Sequence, residues 1–200
     1  MKTEIEAKFV DVDIDAVRES LKALGGVCEQ PMRLMRRYTF DNANMKQKDA
    51  FLRLRHEGHK TTLTYKQFKE LSVTGAREIE LEVSDFDAMY ALLNAVENRW
   101  LRQSFQESKR ETWQVGEAEV MIDEWPWLKP YIEVEAGSED EVMQLAQQLG
   151  FSWTDAVFGD VMAAYRVQYP HLGEKDTIGN LAEVRFGTEL PRMFLPQSTL

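Results

Sequence analysis

The opening segment, Glu4-Ile5-Glu6-Ala7-Lys8-Phe9, carries an acidic or basic residue at every second position. A β-strand turns successive side chains to opposite faces, so Glu4, Glu6 and Lys8 share one face of a predicted strand. Charges in water outside an ordinary sheet would explain one such strand. The same alternation recurs in nearly every later strand candidate, and this recurrence favours a barrel with a charged interior and helices packed outside.

The later strand candidates repeat charge on one face and aliphatic residues on the other. Their charged or polar faces hold Arg53 and Arg55; Thr62, Thr64 and Lys66; Glu78, Glu80 and Glu82; and Glu133 and Glu135, with Asp123 on the strand before the last pair. Rows of arginine and lysine grip phosphate oxygens, while carboxylates without histidine or cysteine partners suit Mg²⁺ or Mn²⁺. Together these faces predict metal-assisted phosphate chemistry, because buried charges need water, metal and a polyanion to balance them.

Hydrophobic periodicity and turn residues divide the chain into short elements. The spacing predicts strands over 2–10, 34–40, 50–56, 61–68, 77–83, 105–115, 119–124 and 131–136, and helices over 14–24, 86–96, 138–149 and 157–167. Ser138 followed by Glu141 is typical of a helix capping box. The last residues, 169–200, have weak periodicity, so we expect an extension that is weakly structured or packed on the barrel, with a short strand over 182–186.

Composition excludes several classes of protein. The 34 acidic and 24 basic residues give a net charge of −10, which disfavours a general nucleic-acid binder. The single cysteine, Cys28, rules out an internal disulfide, and we expect it to be a small buried hydrophobic residue. No apolar run is long enough for a signal peptide or a membrane span. We therefore expect a cytoplasmic protein without a nucleic-acid or membrane partner.

The order of the charged motifs resembles a known family. Glu4-x-Glu6-x-Lys8 is followed by Arg53-x-Arg55, Lys66, Arg77-Glu78-x-Glu80, Arg110, Asp123 and Glu133-x-Glu135. This order is similar to the signature of the CYTH superfamily, the triphosphate tunnel metalloenzymes, over roughly residues 1–168. The resemblance implies an α+β fold, an eight-stranded antiparallel β tunnel in the form of a closed barrel, with helices packed outside. It also implies a divalent metal, Mg²⁺ or Mn²⁺.

The resemblance implies roles for ten residues. The expected metal ligands are Glu4, Glu6, Asp123, Glu133 and Glu135. The expected phosphate-binding residues are Lys8, Arg53, Arg55, Lys66 and Arg110, of which Lys8, Arg53, Arg55 and Arg110 are the expected catalytic residues. Where the family usually has Lys-x-Arg, this chain has Ser108-Lys109-Arg110, which predicts the loss of one phosphate contact and places Lys109 on the opposite face of its strand.

The leading hypothesis is a metal-dependent hydrolase of a small triphosphate-bearing substrate: inorganic triphosphate, thiamine triphosphate or a nucleoside triphosphate. One alternative is a class IV adenylyl cyclase, in which the ribose 3′-hydroxyl attacks in place of water and pyrophosphate leaves. A second is a module that binds polyphosphate without turnover. A barrel that carries an apolar ligand ranks last, since it predicts apolar interior faces. The sequence leaves open the substrate, the number of metals and the oligomeric state, a homodimer included.

Overall fold

The structure, a computed structural model, describes residues 1–68, 72–96 and 100–196. It has an α+β fold built on a strongly curled antiparallel sheet with the shape of a half-barrel. The strands are β1 (Lys2–Thr3), β2 (Glu6–Phe9), β3 (Val27–Asp41), β4 (Ala50–His56), β5 (Thr61–Phe68), β6 (Ala76–Val83), β7 (Arg102–Val115), β8 (Ala118–Trp125), β9 (Leu128–Glu135) and β10 (Glu183–Val184). The α-helices in this part of the chain are α1 (Ile14–Ala23), α2 (Ala43–Lys46), α3 (Phe86–Val96), α4 (Glu139–Gln148) and α5 (Val161–Gln168).

The N-terminal stretch contacts both edges of the curled sheet. Hydrogen-bonded neighbours follow the order β1-β6-β5-β4-β3-β7-β8-β9-β2, and β1 and β2 are consecutive parts of this stretch. The predicted strand over 2–10 is interrupted at Glu4 and Ile5, where Glu4 N donates to Ala76 O at 3.2 Å and Ala136 N donates to Ile5 O at 3.1 Å. With β1 and β2 counted as one, the antiparallel sheet has eight strands, as predicted.

An apolar core forms between the outer face of the sheet and two helices. Alternate residues of β8 and β9 point away from the charged face, and α1 and α4 cover them. The core side chains include Val17, Leu21, Val120, Ile122, Ile132, Val134, Val142 and Leu145. Burial of such aliphatic side chains stabilises the fold by about 2 kcal/mol each. The same alternation that gathers charge on one face therefore supplies the core on the other.

The helix start predicted at Ser138 is confirmed, whereas the start of α5 is not. Ser138 Oγ accepts a hydrogen bond from Glu141 N at 3.3 Å and caps α4. The predicted helix over 157–167 begins at Val161 instead, with Asp160 as its cap. Val157 exchanges backbone hydrogen bonds of 2.9 and 3.0 Å with Lys8, so it extends the sheet and cannot begin a helix.

The C-terminal segment packs on the β7 side of the sheet in the described structure. β10 pairs in parallel with β7, and Phe194 is 1% exposed in a second apolar cluster that includes Tyr165 and Trp125. Residues 197–200 of the predicted extension lie outside the described residues. No helix in the described ranges is long and apolar enough to cross a bilayer.

Two further expectations are wrong. β3 begins at Val27, not at Leu34, because its first half pairs with the end of β7 across register shifts near Gln30. Cys28, expected to be buried, is exposed on this added part of the strand. Both errors have one cause: a long-range strand pairing that local periodicity does not report.

Candidate active site

The alternation in the sequence gathers charged side chains around one cavity of about 760 Å³. Nine of the ten predicted site residues line this cavity: Glu4, Glu6, Lys8, Arg53, Arg55, Lys66, Arg110, Glu133 and Glu135. Asp123, the tenth, is 1% exposed and lies behind Arg110, outside the described lining of the cavity. The fold therefore brings the predicted residues together, with one carboxylate placed behind the surface.

Strand register explains this arrangement, since directly paired residues point to the same face. Lys8 of β2 pairs with Glu133 of β9. On the other side of the cavity, Thr64 of β5 pairs with Arg53 of β4 and with Glu80 of β6. Opposite charges therefore meet across neighbouring strands.

We call Arg37, Arg53 and Arg55 the cationic wall. Arg37 pairs with Arg55 across β3 and β4, so two guanidinium groups extend from directly opposed positions. Arg53 contacts Thr64 Oγ1 at 3.4 Å and lies 3.7 Å from the Glu80 carboxylate. Burial and the neighbouring Arg53 lower the pKa of Arg55 to about 10. This wall holds more positive charge than its nearby carboxylates neutralise.

Glu57 is the closest acidic partner of the cationic wall. It accepts a hydrogen bond from Arg55 Nε at 2.8 Å and lies 3.8 Å from Arg33. Arg55, with burial opposing it, holds the pKa of Glu57 below its usual value. One carboxylate thus orients Arg55, whose guanidinium also lies 3.8 Å from Glu80.

We call Glu4, Glu6, Glu78, Glu133 and Glu135 the acidic wall. Lys8 Nζ bridges two of its members, at 2.8 Å from Glu6 Oε1 and 2.7 Å from Glu133 Oε1. Burial and the nearby Glu133 carboxylate raise the pKa of Glu6 to about 7. Burial and the Glu4 carboxylate raise the pKa of Glu78 to about 7 in the same way. Near neutral pH, therefore, these carboxyls compete with one another for protons.

Lys8 and Lys66 partly neutralise the acidic wall. Burial would lower the pKa of Lys8, but Glu133 and Glu6 outweigh it and raise the pKa. Lys66 forms an ion pair with Glu4 and lies 5.7 Å from the centre of the Phe68 ring. Burial raises the pKa of Glu4, but Lys66 outweighs this effect and lowers it below its usual value.

Arg110 also lines the cavity and is bound by two carboxylates. Its guanidinium donates to both oxygens of Asp123, at 2.7 and 2.5 Å, and to Glu133 at 2.8 Å. A planar guanidinium held by a fork of two carboxylate oxygens has a fixed orientation. In this structure Asp123 therefore positions Arg110, and Glu133 connects it to the acidic wall.

The carboxylates of the acidic wall fit a divalent cation by their chemistry. They supply hard oxygen donors, and one oxygen of Glu78 is buried without a hydrogen-bond partner in the described structure. Among the described residues, no group of three or more His, Cys, Asp and Glu side chains is close enough to form a complete metal site. Three of the carboxylates, those of Glu4, Glu6 and Glu133, form ion pairs with Lys8 or Lys66.

Further charged residues that were not among the predicted ten also line the cavity, Arg37, Glu57 and Glu78 among them. The alternation of side chains could have identified Glu57, because Glu57 continues the series of every second residue that contains Arg53 and Arg55. Glu78 belongs to a charged face identified in the sequence. Arg37 directly follows Arg36, so the alternation of side chains puts one arginine on each face of the strand. It does not show which of the two faces the cavity.

The departure at Ser108 has a clear structural setting. Lys109 pairs with Glu124 at 3.3 Å and packs 4.9 Å from the Phe186 ring centre, away from the cavity as predicted. Ser108 is 1% exposed and accepts a hydrogen bond from Arg37 Nη2. The side chain that meets Ser108 is therefore an arginine from the neighbouring strand.

The match to a family model decides how this cavity is to be classified. The CYTH domain model matches residues 2–155. The chain belongs to the CYTH family. This is a triphosphate tunnel family whose members include triphosphatases and adenylyl cyclases, and it is generally dependent on divalent metal. A comparison with curated proteins gives no match.

Solved structures share the CYTH fold at low sequence identity. A "putative adenylate cyclase" from Vibrio parahaemolyticus is 16% identical, with a TM-score of 0.70 over 82% of this chain and 98% of that one. The PH1819 protein from Pyrococcus horikoshii is 22% identical, with a TM-score of 0.61 over 82% and 98%. A Hippeastrum protein, a "putative adenylyl cyclase" described as having a dominant triphosphatase activity, is 17% identical, with a TM-score of 0.53 over 84% and 96%. At these identities the likeness concerns the fold.

Proposed function

We propose that this CYTH protein is a divalent-metal-dependent hydrolase that breaks a phosphoanhydride bond of a small triphosphate-bearing substrate. The observation that carries the proposal is one cavity that is lined by a cationic wall, by an acidic wall and by Arg110, which donates to Glu133 of the acidic wall. A chain of phosphates supplies the negative charge that the cationic wall lacks. A divalent cation supplies the positive charge that the acidic wall lacks.

In this proposal the phosphate chain lies along Arg53, Arg55 and Lys66, which donate charge-assisted hydrogen bonds to its oxygens. Arg110, fixed by Asp123, faces the oxygens where negative charge develops during the reaction. Lys8 adds a further positive charge beside Glu133. Water attacks the terminal phosphorus, which becomes orthophosphate, and the bond to the bridging oxygen breaks. The diphosphate part of the substrate leaves with the electron pair, and the water supplies one proton to each product.

Glu4, Glu6, Glu133 and Glu135 would hold Mg²⁺ or Mn²⁺, with Glu78 beside Glu4 as an additional donor. When bound, such an ion polarises phosphate oxygens and makes a coordinated water more acidic. Asp123 was predicted to be a fifth ligand from the sequence. Its contacts support a positioning role through Arg110 instead.

We also propose that the curled sheet closes into a tunnel. The N-terminal stretch supports this, because it forms hydrogen bonds with β6 at one edge and with β9 at the other. Residues 1–168 would form the tunnel domain. Residues 169–200 would be an extension on its surface, which the pairing of β10 with β7 supports.

The test is product analysis with tripolyphosphate, thiamine triphosphate and ATP, each with Mg²⁺ or Mn²⁺ and with chelator. We expect orthophosphate from at least one substrate with metal, and its loss in Glu4→Gln. Cyclic AMP together with pyrophosphate would instead make the protein a cyclase. Tight binding of tripolyphosphate without any product would make it a binding module, and the hydrolase proposal would be wrong.

A further inference from the structure

Arg37 lies in the middle of β3 and points into the cavity between two strands that carry the predicted site residues. It pairs with Arg55 of β4 on one side and with Gln106 of β7 on the other. The residue is 7% exposed, yet it belongs to the cavity lining. Arg37 is therefore a buried charge at the edge of the space proposed to hold phosphate.

The partners of Arg37 do not neutralise it. Within the described part of the chain, no carboxylate lies within ion-pair distance of its guanidinium. Nη2 donates to Ser108 Oγ, and Nε is buried without a hydrogen-bond partner. Burial, together with the nearby arginines Arg55 and Arg53, lowers the pKa of Arg37 well below its usual value.

A purely structural role does not explain this arrangement. The guanidinium carbon lies 4.4 Å from the centre of the Trp125 ring, which is a favourable cation–π contact. However, a buried ion without a counter-charge is strongly destabilising, and a like charge directly opposite on the next strand adds to the penalty. A methionine at this position would keep the contact with Trp125 and avoid both penalties.

We propose that Arg37 binds the phosphate chain of the substrate and completes the cationic wall with Arg53 and Arg55. This inference rests on the proposed triphosphate function and adds a residue to its site. An anion in the cavity would give Nε the acceptor it lacks and would relieve the repulsion between Arg37 and Arg55. The family usually has a lysine at position 108. The Arg37 guanidinium, which contacts Ser108 from β3, supplies the positive charge that this lysine would provide.

The location of Ser108 allows a test by exchange. Because Ser108 Oγ touches the Arg37 guanidinium, a lysine at 108 would place its ammonium in the space that a shortened side chain at 37 leaves. Arg37→Met should therefore weaken binding of tripolyphosphate, and Arg37→Met combined with Ser108→Lys should restore it. Arg36→Met is the matched control, since Arg36 is the exposed neighbour on the opposite face of the same strand.

The experiment is calorimetric titration of the full-length chain with tripolyphosphate in the presence of chelator. We expect the Kd to rise about tenfold or more in Arg37→Met, to recover to within about threefold of wild type in the double variant, and to stay unchanged in Arg36→Met. Equal affinity of wild type and Arg37→Met would overturn the role of Arg37 alone. Failure of the wild type to bind any tripolyphosphate would instead overturn the phosphate-binding role of the whole cationic wall, Arg37 included.

Thermal unfolding without ligand separates binding from folding. If Arg37 serves the ligand, Arg37→Met keeps or raises the unfolding temperature, because it removes an uncompensated charge. A clearly lower unfolding temperature would mark Arg37 as structural and overturn the inference. If Arg37→Met does not fold, Arg37→Lys takes its place: weaker binding from loss of the planar fork supports the inference, and unchanged binding contradicts it.

Discussion

The cationic wall and the acidic wall are built on the same sheet, but they are neutralised to different extents. In the acidic wall, Lys8 and Lys66 lie in ion pairs with Glu6, Glu133 and Glu4. In the cationic wall, Arg55 has Glu57 at 2.6 Å, whereas Arg53 has its nearest carboxylate at 3.7 Å and Arg37 has none within the described residues. The cationic wall therefore needs an anion from outside. The acidic wall can exchange its lysines and protons for a divalent cation.

The largest expected effect comes from removing the carboxylate that joins the walls. Glu133 contacts both Lys8 and Arg110, so Glu133→Gln leaves two buried cations short of a counter-charge. We expect turnover of the triphosphate substrate to fall about 1,000-fold, which corresponds to about 4 kcal/mol. Steady-state kinetics with saturating Mg²⁺ or Mn²⁺ measures this loss.

Glu124→Gln is the matched control for this variant. Glu124 is also a sheet glutamate with a basic partner, Lys109, but it faces away from the cavity. Turnover should stay within about twofold of wild type, because a surface ion pair contributes little. An equal loss in both variants would show that the contrast between the inner and outer faces has no bearing on activity.

The pH dependence of stability sharpens the description of the acidic wall. The pKa of Glu6 rises from 4.5 to about 7 on folding, so the folded protein holds this proton more tightly than the unfolded chain. The stabilising contribution is complete below about pH 4.5 and is lost as the pH rises to about 7. Up to about 3 kcal/mol is involved.

Glu6→Gln should remove this loss, because the amide does not titrate. The measurement is the free energy of unfolding of wild type and variant at pH 5 and pH 8, with chelator present. The variant should gain stability relative to wild type as the pH rises. A difference that is the same at both pH values would show that Glu6 does not hold a proton in the folded protein.

Arg53→Met tests the cationic wall with a smaller expected effect. A charge-assisted hydrogen bond contributes about 1.5–3 kcal/mol, so kcat/KM for the triphosphate should fall about 10- to 100-fold. The variant should remain about as stable as wild type, since Glu80, the carboxylate partner of Arg53, lies 3.7 Å away and its side chain is 30% exposed. Unchanged kcat/KM would place the phosphate chain elsewhere.

The smallest effect is expected at Thr64, whose uncharged hydroxyl lies between Arg53 of the cationic wall and Glu80. Its hydroxyl accepts from Arg53 at 3.4 Å and donates to Glu80 at 2.8 Å, and the residue is fully buried. Thr64→Val keeps the shape of the side chain and removes both bonds. We expect kcat/KM to fall about fivefold, or about 1 kcal/mol, in the same assay. A loss as large as that of Arg53→Met would show that the hydroxyl itself binds substrate.

Local sequence predicted the middle of the sheet well. The predicted bounds 50–56 and 61–68 match β4 and β5, because alternation and the turn around Gly58 act within a few residues. The extra length of β3 depends on pairing with β7 some 80 residues away. Pro31 falls in its register-shifted part, where a strand tolerates proline.

The candidate site could be predicted to the extent that the alternation of side chains along a strand defines it. Alternation placed Glu4, Glu6 and Lys8 on one face, and the structure puts all three at the cavity. Alternation could not show that Asp123 accepts hydrogen bonds from Arg110, since this contact depends on the register between β7 and β8. Nor could it distinguish Arg37 from Arg36, because burial of Arg37 depends on Trp125 and Ser108 from other strands.

The most direct test of the two-wall account is a crystal structure of the protein with tripolyphosphate and Mn²⁺, in which anomalous scattering locates the metal. Manganese should lie against the carboxylates of the acidic wall, and phosphate oxygens should lie within hydrogen-bond distance of Arg37, Arg53 and Arg55. Manganese away from these carboxylates, or tripolyphosphate bound outside the cavity, would contradict it.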